Sequence, residues 1–277
     1  MLSSKEIKNS LENKIEVIDR ARYGNAIFEI LEIKKLQGAV NYTTAMGLYF
    51  LDKADVKCRM VRITLDNDEI NMEAGAFYYS IGKIESSTTI GGVGGAIKSL
   101  FKGAVTGEST FKPAYRGSGQ IYLEPSAKHY IIMELNDESI IVDNSMYYCS
   151  TSGIKVEASM QKNISSAVAG GEGLFQIKLS GSGIVILESL IPESEITIVY
   201  IKPGESLKLD GSFAIARTEG ITFTTGRSDK NLAKSMINGE GLLQTFTGEG
   251  VVWLASTEPF YKRLENGQIY QNKGSNN

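Results

Sequence analysis

The segment GEGLFQIKLSGSGIVILES, Gly171–Ser189, has a second version in GEGLLQTFTGEGVVWLAS at Gly239–Ser256 and a blurred third in GESTFKPAYRGSGQIYLEP at Gly107–Pro125. Their leading glycines are 64 and 68 residues apart. A second marker precedes each: AGAFYYS (Ala74–Ser80), DNSMYYCS (Asp143–Ser150) and DGSFAIAR (Asp210–Arg217), whose anchors Phe77, Met146 and Phe213 are 69 and 67 apart. A third comes before those: DEINM (Asp68–Met72), ESIIV (Glu138–Val142) and ESLKL (Glu205–Leu209). Three ordered markers at one period reduce the folding problem to one supersecondary unit written three times.

The unit reads as β structure. IFEILEI, KCRMVRITL, HYIIMEL and EITIVYI are short runs rich in β-branched and aromatic residues, the side chains that suit a pleated surface. The 29 glycines against 5 prolines fit many tight turns and bulges. Phe175, Ile177 and Leu179 alternate with Gln176, Lys178 and Ser180, as in a half-buried strand. Ile184–Leu187 and Val251–Leu254 have no polar face, so both should be covered on two sides. Units that cannot bury their own faces must stack, and closing three of them removes exposed edges. The expected architecture is all-β, three repeats in a pseudo-threefold assembly, with an N-terminal helix.

That helix is predicted over residues 3–24. Ser3 and Glu6 have capping-box spacing, Ile7, Leu11, Ile15 and Ile18 mark one helix face, and Gly24 suits a C-terminal stop. The expected domains are therefore an amphipathic helix at 1–25, one β domain at 26–264 with repeats over about 26–127, 128–192 and 193–264, and a polar tail at 265–277.

Composition removes several chemistries. His129 is the only histidine, which rules out a multi-histidine metal site and leaves a Ser-His-Asp triad one candidate. Cys58 and Cys149 are the only cysteines, too few for a disulfide framework or a spaced zinc motif. A net charge of -3 argues against nucleic-acid binding by phosphate neutralisation. GGVGGAIKSLFKG (Gly91–Gly103) looks like a phosphate loop, but Ile97 stands where its last glycine must be. No cofactor is expected. No apolar run reaches the length of a membrane span and the N-terminus has no secretory h-region, so the expected location is cytoplasmic.

Two features invite a functional reading. Ile97, Leu100 and Phe101 alternate with Lys98 and Lys102, a pattern able to touch a lipid surface or a protein partner. Glu108, Glu172 and Glu240 recur once per repeat, which fits a turn-capping carboxylate better than catalysis. The acidic pair Asp66 and Asp68 in the LDND turn is the nearest thing to a symmetry-breaking carboxylate site.

EAGAF at Glu73–Phe77, GGEGLF at Gly170–Phe175 and NGEGLLQTFTGEGVVWL at Asn238–Leu254 together resemble the mitochondrial-biogenesis family named for altered inheritance of mitochondria, over roughly residues 27–258. The resemblance implies a fold like three copies of the tryptophan RNA-binding attenuation protein subunit. For fungal members it implies a role at the mitochondrial inner membrane; for bacterial members it carries no activity and no catalytic residues. The expected function is a non-catalytic scaffold or binding protein, peripheral to a membrane or supporting a membrane-associated complex, with an unknown protein partner, a membrane surface or a second copy of itself as binding partner. RNA binding, by fold analogy alone, and an enzyme with a carboxylate site are the alternatives.

Overall fold

The computed structural model describes residues 11–86, 112–159, 176–227 and 242–267. In chain order its elements are β1 (Ile15–Tyr23), β2 (Ala26–Ile33), α1 (Tyr42–Lys53), β3 (Arg59–Met72), β4 (Phe77–Ser86), β5 (Ala114–Leu123), β6 (His129–Asp143), β7 (Tyr147–Thr151), β8 (Ile154–Ser159), β9 (Gln176–Ser189), β10 (Thr197–Ile201), β11 (Ser206–Asp210), β12 (Ala214–Thr218), β13 (Ile221–Arg227), β14 (Leu242–Gly248), β15 (Gly250–Leu254) and α2 (Glu258–Glu265). The protein is mostly β, as the sequence predicts, and its strands pair antiparallel.

The chain divides into two compact units. Of the described residues, the first takes in 11–86, 112–136, 147–154 and 182–189, and the second 137–146, 155–159, 176–181, 190–227 and 242–267. β6 and β9 each contribute residues to both.

In the first unit β1 pairs with β2, β2 with β3, and β3 with β5, which in turn pairs with β4. Further along, β3 also pairs with β7, and β7 with β9. β3 shows why this region is stable. Val61, Ile63 and Leu65 enter a core with Phe28, Ile30, Ile121, Leu123, Cys149, Ile184 and Ile186. On its other side Met60 joins Ile15, Leu31 and Tyr122. Both faces are covered, as they are along Ile184–Leu187, all fully buried.

In the second unit β12 pairs with the end of β6 and with β15, which also pairs with β10. β11, β14 and β13 form a separate three-stranded sheet. Ile201, Leu209, Ile221, Phe223, Phe246, Val252 and Leu254 make the core. Phe223 and Phe246 stack with centroids 5.3 Å apart.

One irregularity occurs three times. Phe77 pairs with Leu123 and, after a bulge, Tyr79 with Tyr122. Tyr147 pairs with Leu187 and Cys149 with Ile186. Ala214 pairs with Leu254 and Ala216 with Trp253. The left-handed residues Asn67, Asp137 and Gly204 stand at the same intervals, 70 and 67, as Phe77, Tyr147 and Ala214. Two of the G-x-G segments share one constraint, although Gly181–Gly183 lies within β9, as Gly117–Gly119 lies within β5, and is no turn between strands. Gly183 (φ +150°) and Gly250 (φ +150°) lie so close to Thr151 and Thr218 that a Cβ at either would collide with the threonine Oγ1. Glycine is required there both for its backbone angle and for the space it leaves.

The N-terminal helix is overturned for the part described. Ile15–Tyr23 is a strand, and the chain from Leu11 to Asn13 is a single 3-10 turn. Apolar residues four apart did fit a helix, but Ala26–Ile33 offers an eight-residue strand edge, and β1 hydrogen-bonds along it from Ile15↔Ile33 to Tyr23↔Ala26. Gly24 is the turn between them, with φ +58°, a conformation that serves a hairpin as well as a helix C-terminus. In the opposite sense, α1 stands in a region where the sequence shows no helical period.

Candidate interaction surface

The loop residues Ile97, Lys98, Leu100, Phe101 and Lys102 fall outside the described residues, as do Glu108, Glu172, Glu240 and the Gly91–Gly103 stretch. The Asp66–Asp68 turn is described and is structural. Asn67 takes φ +50° at a bulge. Asp68 accepts hydrogen bonds from the backbone N–H of Asn25 at 3.2 Å and of Glu69 at 2.8 Å. The Asn67 N–H donates to Ser118 Oγ. Beside this turn is a shallow depression of about 470 Å3 bordered by Asp68, Glu69, Lys83, Glu85 and Arg116. It presents opposed charges in the open.

Buried polar groups in the first unit are spent on one another. Arg62 donates through Nε to Glu29 at 2.7 Å and also pairs with Glu12. Burial works against the Arg62 charge, but hydrogen bonds with Glu29, Tyr122 and Glu12 outweigh it and hold the guanidinium protonated. Arg59 pairs with Glu32 at 3.1 Å and lies 3.3 Å from His129 Nδ1, so the one histidine sits at a strand start within a charge pair. Burial pushes the Cys149 thiol well above its usual range and raises that of Cys58, which leaves neither activated as a nucleophile. Among the described residues no cluster of three or more His, Cys, Asp or Glu side chains could hold a metal ion.

The unusual surface is α1, on the connection between β2 and β3. Asn41 caps it: the side chain accepts from the Thr44 N–H at 2.9 Å, and the Thr44 hydroxyl receives the Asn41 N–H in return, satisfying two of the amide donors a helix start leaves open. The residues that follow are apolar and aromatic, yet none is buried. Tyr42, Tyr49 and Phe50 are 77%, 58% and 62% exposed. Eight of the eighteen large hydrophobic side chains exposed among the described residues lie between Leu36 and Val56. Tyr42, Met46, Tyr49 and Phe50 are spaced i, i+4, i+7 and i+8, which puts them on one face. Lys53 shares that face, its ammonium 5.6 Å from the Tyr49 ring centroid.

The second helix is anchored in a way that α1 is not. In α2 the Tyr261 hydroxyl donates to Glu195 at 2.9 Å, and Thr257 donates to the same carboxylate at 2.5 Å. Among the described residues, the hydrogen bonds and ring contacts of α1 side chains all remain between Val40 and Lys53. Among the described residues no helix is long and apolar enough to cross a membrane. The sequence signal for α1 was available: an Asn–x–x–Thr start, then an apolar run closed by Asp52–Lys53. Its many β-favouring residues obscured it.

Known proteins place the chain in context. A crystallised Streptococcus pyogenes protein superposes with a TM-score of 0.55 at 20% identity, covering 76% of this chain and 94% of its own, which shows a shared fold. An uncharacterized protein of Streptococcus pyogenes serotype M6 is 23% identical over 206 residues, 71% of this chain and 81% of that one. The Mitochondrial biogenesis AIM24 family matches residues 53–257. That span runs from the last residue of α1 to the residue before α2, well over half of the chain, and it makes the chain a member of the AIM24 mitochondrial-biogenesis family.

Proposed function

We propose that this chain is a non-catalytic binding or scaffold protein, peripheral to a membrane or supporting a membrane-associated complex, and that it works through exposed surface rather than a cleft. The observation that carries this is α1: a capped helix with its aromatic face in solvent. Monomeric proteins seldom leave so many apolar side chains together in water unless something covers them. The buried ion pair of Arg62 with Glu29 supports the same view, since both charges are spent within the fold. We also infer that the chain is three copies of one β unit in a pseudo-threefold assembly of the kind formed by the tryptophan RNA-binding attenuation protein. The threefold recurrence of the bulge and of the left-handed residue supports it. Superposing experimental coordinates on Leu123, Leu187 and Leu254 tests the repeat; discordant strand orders around the three would refute it.

The functional test is recovery of the tagged chain from its host, with membrane and soluble fractions separated. The expected result is a stoichiometric protein partner or enrichment with membranes. A chain found alone in the soluble fraction, turning over a small molecule in an activity screen, overturns the binding role.

A further inference from the structure

We propose that α1 seats the protein on an anionic lipid surface, with Tyr42, Met46, Tyr49 and Phe50 entering the headgroup boundary and the flanking lysines facing lipid phosphates. The inference rests on the binding role above and names the occupant of its surface.

Charge separates lipid from the other partners. Leu36–Leu51 is sixteen residues without a charged side chain. Around it, Lys34–Lys57 carries four lysines against two aspartates, a net +2, in a chain whose total is -3, so the remainder carries -5. One of the aspartates, Asp55, is already paired with Lys57 at 2.6 Å. The excursion is thus a locally cationic projection on an anionic protein. Anionic lipid attracts lysines held near its surface, and a headgroup plane is densely anionic, whereas a second copy of this chain offers a net of only -5 spread over its other 253 residues.

The side chains suit the same setting. Tyrosine keeps a polar tip at headgroup level while its ring is buried. Lys53, on the aromatic face and beside Tyr49, can extend its ammonium to the phosphates. A helix of 12 residues is about 18 Å long, too short to span a bilayer but sufficient to lie in its surface. The region from Lys34 to Val56 is exposed at every residue except the half-buried Leu48, so the whole excursion can meet a plane. A short single helix gives reversible attachment.

The test is sedimentation of the full chain with vesicles of phosphatidylcholine alone and of phosphatidylcholine with phosphatidylglycerol, alongside Tyr42→Ser/Tyr49→Ser/Phe50→Ser and Lys34→Glu/Lys35→Glu variants. These positions are exposed, and circular dichroism and the urea midpoint check that the fold is kept. Binding to the anionic vesicles is expected for the wild type and to fall about tenfold or more in each variant, with weak binding to neutral vesicles. A Phe50→Trp variant adds a local readout: a blue shift on addition of anionic vesicles. Equal binding by wild type and the aromatic variant overturns the proposal, as does no vesicle binding at all. Concentration-dependent dimerisation abolished by the aromatic variant, without vesicle binding, assigns the face to self-association and also overturns it. In either of the last two outcomes a protein partner recovered from the host would leave the broader binding role standing.

Discussion

β2 and α1 are neighbours in the chain and their fates are opposite. AIFEILEI contains two glutamates in eight residues, and it is buried along most of its length. YTTAMGLYFLDK has no charge before Asp52, and none of its residues is buried. A count of charged residues alone would place them the other way round, although β2 has six apolar residues in eight against seven in twelve for α1. What decides is hydrogen-bonding opportunity. β2 has β1 on one side and β3 on the other, so its backbone is satisfied, and Phe28 and Ile30 fill the core. Its Glu29 is accommodated because Arg62 and Arg20 meet it. α1 satisfies most of its backbone internally, so no strand partner is required of it. It is free to be a surface.

Breaking β2 should have the largest effect. Phe28→Ala removes a fully buried ring and should cost about 3–5 kcal/mol of unfolding free energy, read from urea denaturation. A loss below about 1 kcal/mol would mean that β2 is not integral to the core. Glu29→Gln comes next. It weakens a charge-assisted bond to a buried guanidinium, leaving Glu12 as the remaining acidic partner of Arg62, and should cost about 1.5–3 kcal/mol.

The α1 side of the comparison predicts small numbers. Replacing Val40–Lys53 by a glycine-serine linker should change stability by about 1 kcal/mol or less, since a shorter flexible loop alters closure entropy only slightly. Smallest of all, Phe50→Ala should stay within about 0.5 kcal/mol of wild type, against the large loss at Phe28. A comparable loss at the two phenylalanines would dissolve the contrast and show that α1 is part of the folded core.

These residues also show what a reader of the sequence can see. The strands at β2, β3, β6 and β10 were legible because β-branched residues cluster there, and the glycine turns because they repeat. The buried run Ile184–Leu187 was legible for having no polar face. β1 was misread because IEVIDRARY buries only Ile15, and an edge strand of that kind carries no alternation to oppose a chance helical spacing. Its identity lies in its partner, 3 to 18 residues further along the chain, rather than in itself. α1 was missed because apolar residues run around most of it, so that no clean polar stripe marks the period. The interaction surface was sought at Ile97–Lys102 because apolar and basic residues alternate there. The same chemistry, less compactly written, is at Lys34–Lys57, where lysines sit at the ends of the apolar run rather than within it.

The most direct test of α1 as the working surface is amide hydrogen exchange of the whole protein with and without phosphatidylcholine–phosphatidylglycerol vesicles. A short helix without tertiary cover should exchange quickly in the free protein. The account predicts that vesicles slow exchange across Tyr42–Lys53 while β2 and β3 keep the protection they already have. Unchanged exchange in α1, with protection appearing elsewhere or nowhere, would contradict it.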